Sequence, residues 1–321
     1  MMANDSQPRI SVVTPSFNQG RYLDACMRSV LDQDYPNFEY MVVDGGSTDE
    51  SLDVIRAHEK RLAWWVSEKD KGQSDAINKG FRRATGPIVA WLNSDDLLLP
   101  GALASAAGAY RQAPQASFWY GRCVWVDESG QRKRHYVSAP RLLFNREALT
   151  YGLNYIPQPA TFINRKHLET AGYLDTSLQY AMDSELWMRL SAIAPPVAIE
   201  QTLAAAREHP QTKTLAGSFD RIEAIRKIAE KYTDFPMTPG SMCYLLDEFY
   251  RLVKQHPEVF PESYRDNVCQ FWASTSALLA RWGADAEGNP VKSGATTPAA
   301  NMKPSTMMDV PCRGKSDENR H

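Results

Sequence analysis

Two adjacent acids, Asp95 and Asp96, follow the apolar run Ile88-Val89-Ala90-Trp91-Leu92 with only Asn93 and Ser94 between. Bounded by Gly86-Pro87 and by polar groups, the run predicts a buried strand that delivers both acids to a loop. Carboxylates at a strand's carboxyl end face a ligand crevice. Side by side they repel, and a hard divalent cation carrying substrate phosphates relieves that repulsion. The plainer alternative makes Asp95 the cap of a helix expected after Pro100. Three more polar clusters invite the same question: Thr14-Pro15-Ser16-Phe17-Asn18, Asp44-Gly45-Gly46-Ser47-Thr48-Asp49, and the stretch from Gly72 to Gly80. Neither a GxGxxG dinucleotide loop nor a Walker loop ending in GK[ST] is present, so phosphates bound here need neutralising by other means, again a metal at Asp95 and Asp96.

The elements that must position these clusters alternate. Ile10 to Thr14 is a β-branched run, and Tyr22, Leu23, Cys26, Met27, Val30 and Leu31 then recur at helical spacing. A second strand, Phe38 to Val43, ends at Asp44; Ser47 with Glu50 predicts a capping box for the next helix. A third strand through Ala63-Trp64-Trp65-Val66 precedes a helix over Gln73 to Ala84, and the fourth strand follows. Four strands alternating with three helices predict an α/β fold, a doubly wound, mostly parallel sheet with all four clusters at one edge. Beyond Pro100 come an alanine-rich helix to Gln112 and an antiparallel part, with a hairpin of Phe118 to Val126 and Arg132 to Val137. A short strand at Ala160 to Ile163 and a helix ending before Gly172 come next. A helix from Asp183, an extended stretch from Val197 to Arg207 and a helix over Ser218 to Tyr232 complete this region. Residues 236–282 read as a C-terminal helical appendix and 283–321 as a disordered tail, leaving one domain over 1–235, split near residue 100.

Composition narrows the partners. A formal net charge of −2 excludes a general nucleic-acid binder. Five cysteines, odd in number and never in a CxxC pair, give neither a disulfide framework nor a zinc pattern. With no signal-peptide plan and no apolar run near the roughly 20 residues of a membrane span, the expected location is cytoplasmic, with room for peripheral attachment to the inner face of a membrane.

The ordered set VVTPSFNQGRYL, MVVDGGSTDES, SEKDKGQSDAINKGF, IVAWLNSDDLLLPGAL and LQYAMDSELWMRL resembles the inverting glycosyltransferases of family 2, which have the GT-A fold. The resemblance covers Ile10 to Leu190 and implies transfer of a sugar from a nucleotide-diphosphate sugar, UDP-linked, to a hydroxyl of a glycan or lipid-linked glycan. It implies that Thr14 and Phe17 line the base, with Asn18 and Gly72 in the same nucleotide-binding set. Asp44 would accept from the base's ring N–H, and Asp95, with Asp96 beside it, would hold Mn²⁺ or Mg²⁺. Asp183 would be the general base, unless it is only the N-cap of its helix, and His209 a further metal ligand. Glu185 stands as rival base or acceptor contact, with Gln158, Tyr180 and Tyr155 on the acceptor side.

The chain departs from that pattern in three places. Asn93 replaces the first acid of the metal motif, leaving a neutral group that can still accept a hydrogen bond or bind ribose. Ile77 replaces an arginine, which leaves Asp75 to face the donor sugar unless it is only a first-turn helix acid. Met182 replaces a glutamate before Asp183. Two other readings compete: a nucleotidyltransferase making sugar nucleotides, against which the glycine- and arginine-rich first loop is missing, and a degenerate sugar-nucleotide-binding scaffold.

Overall fold

β1 (Ile10–Ser16) is buried along its whole length, as a β-branched strand enclosed on both faces must be. It pairs in parallel with β2 (Phe38–Asp44) on one side and β4 (Ile88–Trp91) on the other, and β3 (Trp64–Ser67) extends the sheet beyond β2. The crossovers are α1 (Gly20–Leu31), α2 (Ser51–His58) and α3 (Gln73–Arg83). The computed structural model of the protein describes residues 7–135, 144–152, 154–213, 218–235 and 237–281. The tail expected over 283–321, and the far end of the strand expected to reach Val137, lie outside the described residues.

Beyond β4 the sheet becomes mixed. β8 (Thr161–Asn164) runs antiparallel to β4 and to β6 (Phe118–Val126), and β6 pairs in parallel with β9 (Val197–Arg207). β5 (Leu97–Leu98) closes the far edge, and β7 (Arg132–His135) forms the expected hairpin with β6. Between them lie α4 (Ala102–Gln112), α5 (Arg146–Thr150), α6 (Arg165–Ala171) and α7 (Met182–Ile193). After β9 come α8 (Ser218–Glu230), α9 (Pro239–Gln255) and α10 (Glu262–Arg281). The chain divides into a first unit, Met1–Ala277, and a second, Leu278–His321.

Apolar clusters pack both sheet faces. On one, Trp91 stacks on Trp187 with centroids 5.7 Å apart, Phe118 lies 5.0 Å from Trp187, and all three are buried. These tryptophans are core, and each such side chain contributes about 2 to 3 kcal/mol by burial. They also fix α7 against the end of β4, the two elements that carry the principal acids.

Three local expectations fail for identifiable reasons. The capping box at Ser47 does not form; α2 starts at Ser51, and its Glu50 cap position makes no side-chain cap bond. Ser47 is already engaged, donating to Asp44 and accepting from the Asn18 N–H, while Asp49 takes the Ser51 and Gly20 N–H groups. Asp95 caps nothing, since α4 begins after Gly101 with φ +80° and no side-chain cap. Asp183 is likewise not a cap, because Ala181, at φ +57°, holds that position.

The first turn of α9 packs on the loop after α5. The Gly240 N–H donates to the Tyr151 carbonyl at 2.9 Å, and a Cβ at Gly240 would lie 2.3 Å from the Gly152 carbonyl carbon. Two glycines meeting backbone to backbone allow that approach. Among the described residues no helix is long and apolar enough to cross a membrane.

Candidate active site

The loops after β1, β2 and β3 form the first part of the edge. Asp44 is fully buried: its Oδ2 accepts from the Gly46 and Ser47 N–H groups and the Ser67 hydroxyl, and its Oδ1 from the Ser47 hydroxyl at 2.5 Å. These four donors hold the loop after β2 in shape. Thr14 is also fully buried, its Oγ1 taking the Tyr40 hydroxyl at 2.8 Å, so its side chain lies beneath the cleft floor rather than lining a base. Phe17 is 61% exposed, and Asn18, at φ +51°, braces the neighbouring loop by accepting from the Thr48 N–H. Asp70 is the residue that the motifs did not single out. Its Oδ1 accepts from the Gly72 N–H, while Oδ2 stands 2.6 Å from where a Gly45 Cβ would be, with Phe17 Cδ2 at 3.3 Å from the same point. An aromatic face and a carboxylate oxygen thus meet over a residue without a side chain.

Asp75 Oδ2 accepts from the Lys71 N–H at 3.1 Å and pairs with Lys79 at 3.5 Å. Gly72 opens α3 at φ +108°, and the Gln179 side chain lies over it.

The acid pair after β4 divides its labour. Asp95 has a side chain 17% exposed and its Oδ2 is 3.0 Å from His209 Nε2. Asp96 turns inward, its Oδ1 accepting from the Arg207 N–H and its Oδ2 from Asn93 Nδ2. Burial, and next the Asp95 charge, push the Asp96 carboxyl well above the usual range, against the pull of Arg207 and Asn93. Both Asp96 oxygens are thus engaged by the protein. Arg207 secures the arrangement by donating to the carbonyls of Asp95, Asp127 and Glu128.

Asn93 is a hub. Its Oδ1 accepts from Gln73 Nε2 at 2.8 Å, and its Nδ2 donates to Asp96 and to Gln158 Oε1 at 3.1 Å. Gln158 in turn donates to the Trp91 carbonyl and is buried, which corrects its expected acceptor role. An aspartate at 93 would set a carboxylate against both Asp96 and the Gln158 oxygen.

Across the edge, α7 presents Asp183, half-buried, with Oδ2 accepting from Asn154 Nδ2 at 3.0 Å. Burial raises its carboxyl above the usual range, and the Ser184 N–H and Asn154 amide draw it back. Glu185 is buried and chelated by Arg189, whose Nη2 lies 2.7 Å from Oε2 and whose guanidinium also donates to the Ala171 and Tyr173 carbonyls. Arg189 engages both Glu185 oxygens. Tyr155 exchanges hydrogen bonds with the Asn145 backbone, so its hydroxyl too is spent. Tyr180 is half-buried beneath Lys213, whose Nζ lies 5.9 Å from the ring and donates to the Gln179 carbonyl. Beside Asn154 and Ser184 lies a small recess walled by Leu149, Met188, Ile225 and Ile228.

The structure thus brings together Phe17 with Asp70, and Asp95 with His209. Through Gln179 it also sets the loop before α7 against the start of α3. Sequence reasoning missed Asp70, Asn154 and Arg207. Asp70 had a signal, standing next to Lys71-Gly72 at the opening of α3; Asn154 and Arg207 sit in stretches without pattern.

The sequence profile described as Glycosyl transferase family 2 matches residues 11–172. A glycosyltransferase of Mycobacterium tuberculosis is 31% identical over 204 residues, 62% of this chain and 74% of that one. The putative teichuronic acid biosynthesis glycosyltransferase TuaG of Bacillus subtilis is 41% identical over 93 residues, 28% and 37% of the two chains. Among solved structures, an S. aureus TarS fragment in complex with UDP-GlcNAc superposes with a TM-score of 0.56 at 20% identity, covering 78% of this chain and 73% of that one. The mannosyltransferase PcManGT of Pyrobaculum calidifontis, in complex with GDP-Man and Mn²⁺, gives 0.56 at 21% identity, covering 86% and 79%. The curled, mostly parallel sheet is of the GT-A type, and with its motifs, its profile and its relatives in agreement, the chain belongs to glycosyltransferase family 2.

Proposed function

We propose that the protein is a metal-dependent, inverting hexosyltransferase that moves a sugar from a nucleotide-diphosphate sugar, UDP-linked, to a hydroxyl of a glycan or lipid-linked glycan. The observation that carries the reading is the meeting of Asp95 Oδ2 and His209 Nε2, 3.0 Å apart. Neighbouring ligands of an octahedral Mg²⁺ or Mn²⁺, each about 2.1 Å from the ion, stand roughly 3 Å apart. Among the described residues no third His, Cys, Asp or Glu joins them, so Asp95 and His209 are the two side chains that would hold the ion. The donor set, one carboxylate oxygen and one imidazole nitrogen, fits such an ion. A divalent cation held there supplies positive charge against the departing nucleoside diphosphate. That PcManGT holds Mn²⁺ and GDP-Man, and TarS UDP-GlcNAc, supports a cation and a nucleotide sugar.

The chain's own residues do the rest. Phe17 offers its exposed face to the base, and Asp70 Oδ2 is placed to accept from a ring N–H, as uracil provides. Asp183 takes the proton of the acceptor hydroxyl as that oxygen attacks the anomeric carbon. Its raised pKa makes it a stronger base than an exposed aspartate, and such assistance is worth about 10² to 10⁴ in rate. Attack from the face opposite the leaving diphosphate inverts the anomeric configuration. Teichuronic acid and chondroitin, named for two relatives, support a glycan acceptor and a role in polysaccharide biosynthesis.

The test is UDP release from a panel of UDP-sugars with Mn²⁺, compared for the wild type and Asp183→Asn. Turnover lost in the variant with UDP binding kept is the expected result; binding without turnover for every donor and every glycan acceptor tried with the wild type would sink the assignment and leave a sugar-nucleotide scaffold.

A further inference from the structure

We propose that α8 and α9 are working parts of the active site, with Tyr244 and Arg221 as positioning residues for Asp183; this rests on the reading of Asp183 as the acceptor's base. The backbone contact of Gly240 with Tyr151 and Gly152 fixes the first turn of α9 on the loop that carries Asn154. Asn154 has three engagements. Its Oδ1 accepts from the Ile156 N–H at 3.3 Å and its Nδ2 donates to Asp183 Oδ2 at 3.0 Å, while burial pushes the Tyr244 phenol up and the Asn154 N–H draws it back. Arg221 of α8 lies over the Tyr244 ring, 4.8 Å from its centroid, and its charge acts on both Tyr244 and Asp183. From α8 also come Ile225 and Ile228, which wall the recess beside Asn154 and Ser184.

Each element packed around Asp183 therefore contributes one group: the Ser184 N–H from α7, the Asn154 amide from the loop, Arg221 from α8, and Tyr244 from α9, with Cys243 adjoining the phenol. A general base works only if a lone pair points at the acceptor's O–H. Asn154 occupies Oδ2 and so orients Oδ1, and Tyr244 orients Asn154. Burial opposes ionisation of the carboxyl, and the Arg221 charge offsets part of that cost. Both helices lie beyond the stretch matched by the family profile, residues 11–172, so the profile alone gives no indication of them.

The experiment is a carboxyl ¹³C NMR titration of aspartate-labelled full-length protein, with Asp183→Asn used to assign the resonance, alongside the kinetics of UDP release from UDP-GlcNAc and UDP-glucose in Mn²⁺ with water as acceptor. Arg221→Gln should raise the Asp183 midpoint by roughly half a unit, less than a direct ion pair would give, and move the acid limb of kcat/KM the same way. Arg221→Lys should restore it. Tyr244→Phe should lower kcat about tenfold while leaving the donor KM within about twofold, the mark of a group felt only in the chemical step. If both variants melt like the wild type and leave the midpoint and kcat unchanged, the proposal is overturned. If Asp183→Asn releases UDP at the wild-type rate, the assignment of the base fails, whereas the NMR midpoint still decides whether the helices are coupled to that carboxylate.

Discussion

The loops after β2 and β3 lie side by side at one sheet edge and use their aspartates in opposite ways. Asp44 is buried with four donors on its two oxygens, whereas Asp70 has one oxygen tied to Gly72 and the other standing over Gly45 beside an exposed phenylalanine. The same contrast recurs at Asp96 and Asp95, and again at Glu185 and Asp183. In each pair one acid is turned inward onto groups of the protein and one keeps capacity for something else. A buried carboxylate without donors is costly, so saturation identifies the acids that hold the scaffold, and incomplete saturation those that await a ligand. Acidic motifs alone do not separate the two kinds.

The largest effect that would break or sharpen this comparison is at α7. Asp183→Asn should cost about 10² to 10⁴ in turnover. Because burial raises its folded pKa, Asp183 favours folding only while protonated, a contribution present below its unfolded pKa and lost as pH rises through the folded value. At neutral pH the amide should therefore melt no lower than the wild type. Glu185→Gln should do the reverse, keeping turnover in the folded enzyme but losing roughly 3 kcal/mol of stability, the low end for a broken buried pair because Arg189 is partly exposed and keeps two carbonyls. Denaturant melts with UDP-release assays on both variants would show the exchange, and a stable, inactive Glu185→Gln would reverse the assignment of base.

Next in size is the acid pair after β4. Asp95→Asn should remove the Mn²⁺-dependent part of UDP affinity, at least the about 10- to 100-fold that even indirect partners of a metal are worth. UDP titrations with and without Mn²⁺ measure it directly. If Asp95→Asn and wild type bound UDP alike in Mn²⁺, His209 would be merely the partner of a surface acid.

How far this contrast was legible beforehand depended on what each residue's neighbours in sequence could say. The first four strands and three helices follow from periodicity, and Asp95 and Asp183 from their motifs, because local pattern fixes which strand end an acid occupies. Where its oxygens point is decided by groups far away in sequence. Asp96 turns inward because the backbone of Arg207, on β9, reaches it; Glu185 pairs along its own helix, but its arginine is held by carbonyls before α7. Asn154 was invisible because its partners come from α7 and α9. The mixed half of the sheet was only partly legible, since β9 pairs in parallel with β6 across some seventy residues, a partnership no local signal encodes.

A smaller effect separates the first pair. A hydrogen bond to a charged acceptor is worth about 1.5 to 3 kcal/mol, so Asp70→Asn should weaken UDP binding roughly tenfold while leaving the melting temperature near the wild type. Asp44→Asn, by contrast, places an amide NH₂ among four donors and should lower stability with affinity changed only in proportion to the folded fraction. Isothermal titration of UDP and GDP against each variant, with thermal melts alongside, reads both quantities. Equal losses of affinity from the two substitutions would mean that Asp44, despite its burial, still reaches the base.

The smallest effect lies at the opposite end of β2, where no ligand is expected and saturation serves stability alone. Glu39 is buried; burial works against its charge, but the Ser11 hydroxyl, the Thr85 N–H and hydroxyl, and Arg9 together hold its pKa below the usual value. A carboxylate with a depressed folded pKa contributes stability that is fully present above its unfolded value, near 4.3, and is lost as pH falls through the folded one. Glu39→Gln should flatten the acid limb of the melting profile below about pH 4.5 and leave UDP release per folded molecule unchanged. Were it to alter turnover while leaving the acid limb intact, saturation would no longer mark an acid as belonging to the scaffold, and Asp44, Asp96 and Glu185 would each have to be judged again by mutation.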